Sequence, residues 1–406
     1  MKNKCYHAAR MAARDLYKTW TLKYLYPREY RKQARRPIRP RKVVFLEVRE
    51  DRLTDSFRLI WDGLEREGGW ELTLCCIREG MESRTRVRGH CMEAIPVLAD
   101  AGFIFVNDSS YFLGSLPIRP ETMVIQTWHA CGAFKKFGYS VADKKFGSSK
   151  KDLDRFPLHR NFSYVTVSSP EVVWAYAEAF HMENEREKIL PIGISRTDVF
   201  FQEPFLRKAR ERLLEQVPAA RGRKVILYAP TFRGRVAEAV SPEILDFEAL
   251  REAIGSDYVI LCKHHPFVKE RPKLPEGCES FAFDVTGNLE IEELLAVSDV
   301  CISDYSSLVF EYSLFERPMI FLAHDLDEYF DWRGFYYPYE EMAPGPVVCT
   351  TQEVIDYIQK LPESFDRRRV ADFREKFMGA CDGHATERIL ELMKQKNAQT
   401  VTEEQE

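Results

Sequence analysis

The chain has 406 residues, of which 45% are apolar, 13% aromatic and 30% charged. That composition excludes a disordered or low-complexity polymer and leaves room for two or three cores. The net charge of −4 hides an asymmetry: residues 1–42 hold 14 of the 59 Lys and Arg but 2 of the 63 Asp and Glu. A basic arm on an acidic body argues against a nucleic-acid-binding protein.

Apolar residues recur at roughly helical spacing over residues 1–26, among them Tyr6, Met11, Leu16, Trp20 and Tyr24. They lie between Lys and Arg, so the spacing predicts a basic amphipathic helix suited to an anionic membrane surface. Pro27, Pro37 and Pro40 among basic residues then read as an extended linker to residue 42. No run approaches the ~18–20 apolar residues of a membrane span. No continuous apolar segment follows the basic start as it would in a signal peptide. The ten cysteines show no C-x-x-C spacing and read as reduced thiols. The expectation is a peripheral protein on the cytoplasmic face of the membrane.

From residue 43 short apolar runs alternate with longer mixed segments. Runs at 43–48, 72–77, 103–106, 123–126 and 164–167 read as buried strands, with helices over 52–67 and 170–181. After a charged stretch at 196–223 the pattern restarts. Strands are expected at 225–228, 258–262, 280–283, 300–302 and 319–322, with helices over 246–254 and 291–297. Buried strands alternating with helices form parallel sheets covered on both faces. The fold class is therefore α/β, with two Rossmann-like domains facing across a cleft. The arm spans 1–42, an acceptor-side domain 43–200 and a nucleotide-donor domain 201–406. Such sheets bind ligands beyond the carboxyl ends of their strands.

The polar residues collect at those ends. Asp304-Tyr305-Ser306-Ser307 separates a strand from an apolar helix, and two hydroxyls beside free backbone N–H groups suit an anion. Glu311, one helical turn beyond Ser307, is placed to reach ribose hydroxyls, although an ordinary Asp/Ser helix cap has the same pattern. Thr231 and Arg233 leave the 225–228 strand, and Lys263-His264-His265-Pro266 leaves the next. Arg233, Lys263, Ser306 and Ser307 together suit a diphosphate. Pro266 fixes the backbone beside His265 and favours a site role for it, whereas His264 reads as a solvated loop residue. In the first half His129 follows the 123–126 strand. Its ordinary pKa near neutrality suits a general base. No spaced Asp/Glu/His cluster of the kind that holds a metal is evident, so neither a metal nor a cofactor is expected.

Five segments occur together in a fixed order: Gln126-Thr127-Trp128-His129, Ala229-Pro230-Thr231-Phe232-Arg233, His265-Pro266, Ser303-Asp304-Tyr305-Ser306-Ser307, and Arg333-Gly334-Phe335-Tyr336 after Tyr329. Together they resemble the CDP-glycerol glycerophosphotransferase family, the teichoic acid primases and polymerases, over roughly residues 100–340. The resemblance implies the two-domain GT-B arrangement. It also implies attack by a hydroxyl on the distal phosphorus of a CDP-activated polyol, with CMP leaving. His129 resembles the family's catalytic base and His265 the histidine that stabilises the diphosphate. The implied partners are a CDP-glycerol or CDP-ribitol donor and a lipid-linked polymer precursor as acceptor. The chain departs from the usual Trp-His-Gly-Thr-Pro-Leu-Lys, reading Trp-His-Ala-Cys-Gly-Ala-Phe-Lys, and carries Glu311 where an aspartate is usual. Alternatives of the same architecture are a ribitol-phosphate transferase and a nucleotide-sugar glycosyltransferase. A non-enzymatic envelope scaffold that binds without releasing CMP is the alternative of a different class.

Overall fold

The computed structural model describes residues 2–144, 147–234 and 238–403. The first sheet holds six strands: β1 (Arg39–Glu47), β2 (Glu71–Cys76), β3 (Ala101–Val106), β4 (Met123–Gln126), β5 (Tyr164–Thr166) and β6 (Ile189–Leu190). Its order is β2-β1-β3-β4-β5-β6. The second sheet holds β7 (Lys224–Tyr228), β8 (Tyr258–Cys262), β9 (Ala282–Asp284), β10 (Val300–Ser303), β11 (Met319–Leu322) and β12 (Val347–Val348), in the order β12-β11-β10-β7-β8-β9. All strand pairs are parallel. β3, β4, β10 and β11 are buried along their whole length, as strands covered on both faces must be. In the first sheet Phe45 stacks on Phe105 with ring centroids 5.1 Å apart, and Phe57 meets Phe45 edge-on.

Two expectations about domain limits are corrected. The C-terminal helix Ala385–Glu403 does not stay with the second domain. Its Ile389 and Met393 are buried in the first sheet's core with Phe45, Phe57 and Phe103. The Asp198 carboxylate accepts from the N–H groups of Ala385 and Thr386, at 3.2 and 2.7 Å, and so caps the helix from the first domain. The returning helix leaves no sequence trace, because its apolar stripe does not say which sheet it covers.

The second correction concerns the arm. Residues 27–33 are not an extended linker. Helix α1 (Lys2–Trp20) runs through a π turn, Thr21–Leu25, into α2 (Tyr26–Gln33), with Pro27 in the first turn of α2 where its missing N–H costs nothing. Tyr26 and Tyr30 are buried, and Tyr26 meets Phe112 edge-on at 5.2 Å. Pro40 and Lys42 already belong to β1. The arm's second half is therefore part of the first domain. α1 is more loosely held, by Lys18 on Asp152 (2.7 Å) and Asp15 on Arg155 (2.8 Å). Among the described residues, no helix is long and apolar enough to cross a membrane.

Candidate active site

In the first domain the site grows from the ends of β3 and β4. These strands pair in register, Val106 with Gln126, so the residues just beyond them lie side by side. Gln126 locks the turn after β4. Its side-chain oxygen accepts from the Trp128 N–H (2.8 Å) and its amide donates to the Asp108 carbonyl (3.1 Å). Trp128 takes a left-handed φ of 57°, uncommon for a bulky residue, and packs its ring on Phe137 and Phe180. The turn leaves the His129 side chain about half exposed. Its Nδ1 lies 3.1 Å from the Asn107 carbonyl oxygen. A carbonyl can only accept, so Nδ1 carries the proton and the neutral ring holds its lone pair at Nε2.

His265 has the opposite tautomer. It lies between Phe232 and Phe267, at 4.8 and 4.7 Å, and its Nδ1 accepts from the Phe267 N–H at 3.2 Å. The neutral ring therefore bears its proton on Nε2. Burial, with the Lys135 ammonium as a smaller contribution, pushes its pKa down to about 4. The site thus offers one imidazole lone pair and one imidazole N–H.

The remaining expected residues divide. Ser306 and Ser307 stand half-buried at the start of the helix Leu308–Ser313. Ser306 Oγ is 3.4 Å from the Leu308 N–H, and Ser307 makes no side-chain cap. Three other assignments are corrected. Arg233 is fully engaged: Nε and Nη2 meet Asp325 at 2.6 and 3.0 Å, Nη2 meets Asp304 at 2.9 Å, and Nη1 donates to Thr231. It ties the ends of β7, β10 and β11 together rather than facing a diphosphate. Lys263 donates to the carbonyls of Thr286 and Leu289, at 2.9 and 2.6 Å, and so holds the loop after β9. Glu311 is 3% exposed and pairs with Arg196 at 2.5 Å, while Arg196 also pairs with Asp55 at 2.9 Å. Glu311 is thus a buried link between the domains and not a ribose ligand. His264 is buried and bonded to Ser241 Oγ at 2.9 Å, not solvated.

The loop after His129 crosses into the second domain. Gly132 has φ 63°, and a Cβ there would lie 2.4 Å from the Phe310 ring. Phe134 packs among Phe310, Phe335 and Tyr339. Lys136 N–H donates to the Gly334 carbonyl, Tyr336 N–H to the Phe134 carbonyl, and Lys135 Nζ to Tyr329. The 334–336 segment therefore serves as the receptor for the first domain's loop, while the Arg333 side chain lies outside the described residues. Asp325 was not singled out from the sequence, and Asp304 was read only as part of the turn and motif around Ser306, not as a partner that neutralises Arg233: a carboxylate in a turn is too common to mark its partner. Among the described residues, no group of three or more His, Cys, Asp or Glu is placed to hold a metal ion.

A family profile described as CDP-Glycerol:Poly(glycerophosphate) glycerophosphotransferase matches residues 29–395. A teichoic acid ribitol-phosphate primase of Bacillus spizizenii is 36% identical over 361 residues, 88% of this chain and 92% of its own length. A teichoic acid glycerol-phosphate primase of the same organism is 29% identical, over 76% of this chain and 78% of its own length. The solved structure of the wall teichoic acid polymerase TagF superposes with a TM-score of 0.76 at 23% identity, covering 98% of both chains. A UDP-N-acetylglucosamine 2-epimerase of Listeria monocytogenes has the same fold at 14% identity and a TM-score of 0.54, over 86% of this chain and 95% of that one.

Proposed function

This chain belongs to the CDP-glycerol:poly(glycerophosphate) glycerophosphotransferase family, and on that premise we propose that it moves a polyol phosphate from a CDP-activated polyol to a hydroxyl of a lipid-linked teichoic acid precursor. One observation carries the reading: His129 and His265 are held in opposite tautomers at strand ends of the two domains. His129 Nε2 takes the proton of the acceptor hydroxyl. The acceptor oxygen then bonds to the distal phosphorus, the bond from that phosphorus to the bridging oxygen breaks, and CMP leaves. His265 Nε2–H donates to a phosphate oxygen as charge shifts, with the hydroxyls of Ser306 and Ser307 beside it. Being neutral, His265 contributes a hydrogen bond and not a charge. Positioning and electrostatic complementarity of this sort dominate phosphoryl transfer.

The family description names glycerol, but the relatives favour ribitol as the polyol. Ribitol-phosphate enzymes match at 34–37% identity and glycerol-phosphate enzymes at 27–33%. CMP release from CDP-ribitol and CDP-glycerol, each with lipid-linked acceptor and with EDTA present, tests donor, reaction and freedom from metal together. His129→Ala is expected to lower turnover by ~10²–10⁴ while keeping donor affinity. Turnover within threefold of wild type would remove His129 as the base.

The acceptor lies in a membrane, and α1 with the π turn that follows it supplies a means of reaching it. Leu16, Trp20 and Tyr24 recur every four residues and are 70%, 46% and 63% exposed, among basic side chains. Apolar and aromatic groups beside Lys and Arg suit the headgroup region of an anionic bilayer, at about 1 kcal/mol per basic residue. This reading makes the enzyme peripheral on the cytoplasmic face. Leu16→Glu/Trp20→Glu should abolish cosedimentation with phosphatidylglycerol vesicles at low salt and leave CMP release to a soluble acceptor intact. Unchanged cosedimentation would place the membrane-binding surface elsewhere.

A further inference from the structure

Because β3 and β4 end in register, the turn carrying His129 lies against Asp108, two residues past β3. The Asp108 carboxylate is held from three sides. Oδ1 accepts from the Ser109 N–H at 2.6 Å, Oδ2 accepts from Arg49 Nε at 2.9 Å, and Oδ1 stands 4.0 Å from His129 Nδ1. Arg49 is itself anchored on the Glu79 carbonyl at 2.9 Å. Asp108 is 15% exposed, which places its charge in a setting where it is only partly screened. From this geometry we infer that Asp108 is a positioning residue for His129, its carboxylate stabilising the imidazolium that forms when Nε2 takes the acceptor's proton.

The inference rests on His129 being the base and extends it. The Asn107 carbonyl fixes the tautomer, but it is neutral and offers limited stabilisation to a cation. Asp108 supplies the counter-charge, on the side of the ring opposite the reacting nitrogen, an arrangement that raises basicity without obstructing the acceptor. Burial opposes ionisation of Asp108, but His129 and Arg49 hold its pKa below the usual carboxylate range. It is therefore held in its charged form. The other titratable groups around this corner are few among the described residues. Arg49, after β1, draws on the same carboxylate and opposes its effect. His159 lies behind the Trp128 ring, and burial pushes its pKa down to about 3, so it adds no charge near neutrality. Glu79, on the far side of Arg49, is bonded to Ser110 Oγ and the Tyr111 N–H, and burial raises its pKa. Lys135, six residues beyond His129, extends to Tyr329 of the second domain.

The test is the pH profile of CMP release, with CDP-ribitol or CDP-glycerol and saturating acceptor. Asp108→Asn should lower kcat by ~10–100-fold, leave donor KM within twofold, and move the acid limb down by ~1 pH unit, as loss of a facing negative charge requires. Arg49→Gln should move the same limb the other way, because the carboxylate is then no longer shared. Opposite displacements would not arise if the Asp108–Arg49 pair only braced the loop. If both variants keep the wild-type acid limb while His129→Ala is inactive, the inference fails and the base assignment stands. If His129→Ala itself retains turnover, the base assignment fails and the inference with it. Should Asp108→Asn melt well below wild type, Asp108→Glu decides: partial recovery of kcat with the native acid limb supports the inference, and a kcat no better than Asn overturns it.

Discussion

Arg233→Lys separates a strand-end brace from a diphosphate ligand. The arginine makes three contacts with carboxylates, to Asp325 at 2.6 and 3.0 Å and to Asp304 at 2.9 Å, and two more to Thr231. A lysine keeps the charge but offers its donors from one point, so it cannot span both carboxylates. At ~1.5–3 kcal/mol for each charge-assisted bond, loss of two with partial compensation is worth ~3 kcal/mol. That corresponds to a fall in Tm of ~6–12 °C for cores of this size. CDP-polyol affinity should change by less than threefold, because none of these donors is free to meet a phosphate. Differential scanning fluorimetry and isothermal calorimetry on the same preparation read both quantities. A variant with wild-type Tm and a tenfold or greater loss of donor affinity would refute the brace and restore Arg233 as a ligand.

Ser306→Ala/Ser307→Ala should weaken CDP-polyol binding in calorimetry by ~1–3 kcal/mol with little change in Tm, since Ser307 makes no cap and the Ser306 contact is long at 3.4 Å. Gly132→Ala should cost both stability and turnover. Its φ of 63° strains any L side chain by ~1–3 kcal/mol, and the new methyl would run into the Phe310 ring, which thermal melts and CMP release would register. His265 resists protonation when folded, with a pKa of about 4 against ~6.5 in the unfolded chain. Its contribution to stability is therefore present in full above pH ~6.5 and lost as pH falls toward 4. His265→Gln should narrow the drop in Tm between pH 6.5 and 4.5, and an equal drop in both proteins would contradict the depressed value.

Much of the fold was legible because parallel strands buried on both faces leave unbroken apolar runs. The runs at 123–126, 258–262 and 319–322 coincide with β4, β8 and β11. β6 and β12 escaped because two residues are too short to form such a run. In the candidate site, strand-end logic pointed to His129, His265, Ser306 and Ser307, which the structure leaves outside the strand-end braces. It misassigned Arg233, Lys263 and Glu311 for one reason. A charged side chain at a strand end can face the cleft or serve a neighbouring loop, and only the positions of Asp304, Asp325, the 286–289 carbonyls and Arg196 decide which. Asp108 was passed over because its importance comes from register between β3 and β4, not from its own neighbours in sequence.

The same contacts tie the loop beyond His129 to the second domain. Gly132 N–H donates to Ser168 Oγ, which donates to the Phe377 carbonyl, so the loop beyond His129 is tied to the helix Arg367–Met378 as well as to Phe310. Glu311 and Arg196 form a buried ion pair between the domains, and the half-buried Asp55 pairs with Arg196 on the first domain's side. Removing Arg196 leaves the Glu311 carboxylate unpaired in a low-dielectric setting, at ~3–5 kcal/mol. The cleft is therefore a joint held by specific polar contacts over an aromatic packing surface. The placement of His129 relative to His265 follows from that joint, because the loop after the first histidine packs on Phe310 and Phe335 of the second domain before it returns to the first at Gly138. Residues remote from either imidazole can thus alter phosphoryl transfer by shifting one domain against the other, and a sub-ångström shift matters where a near-attack geometry is required.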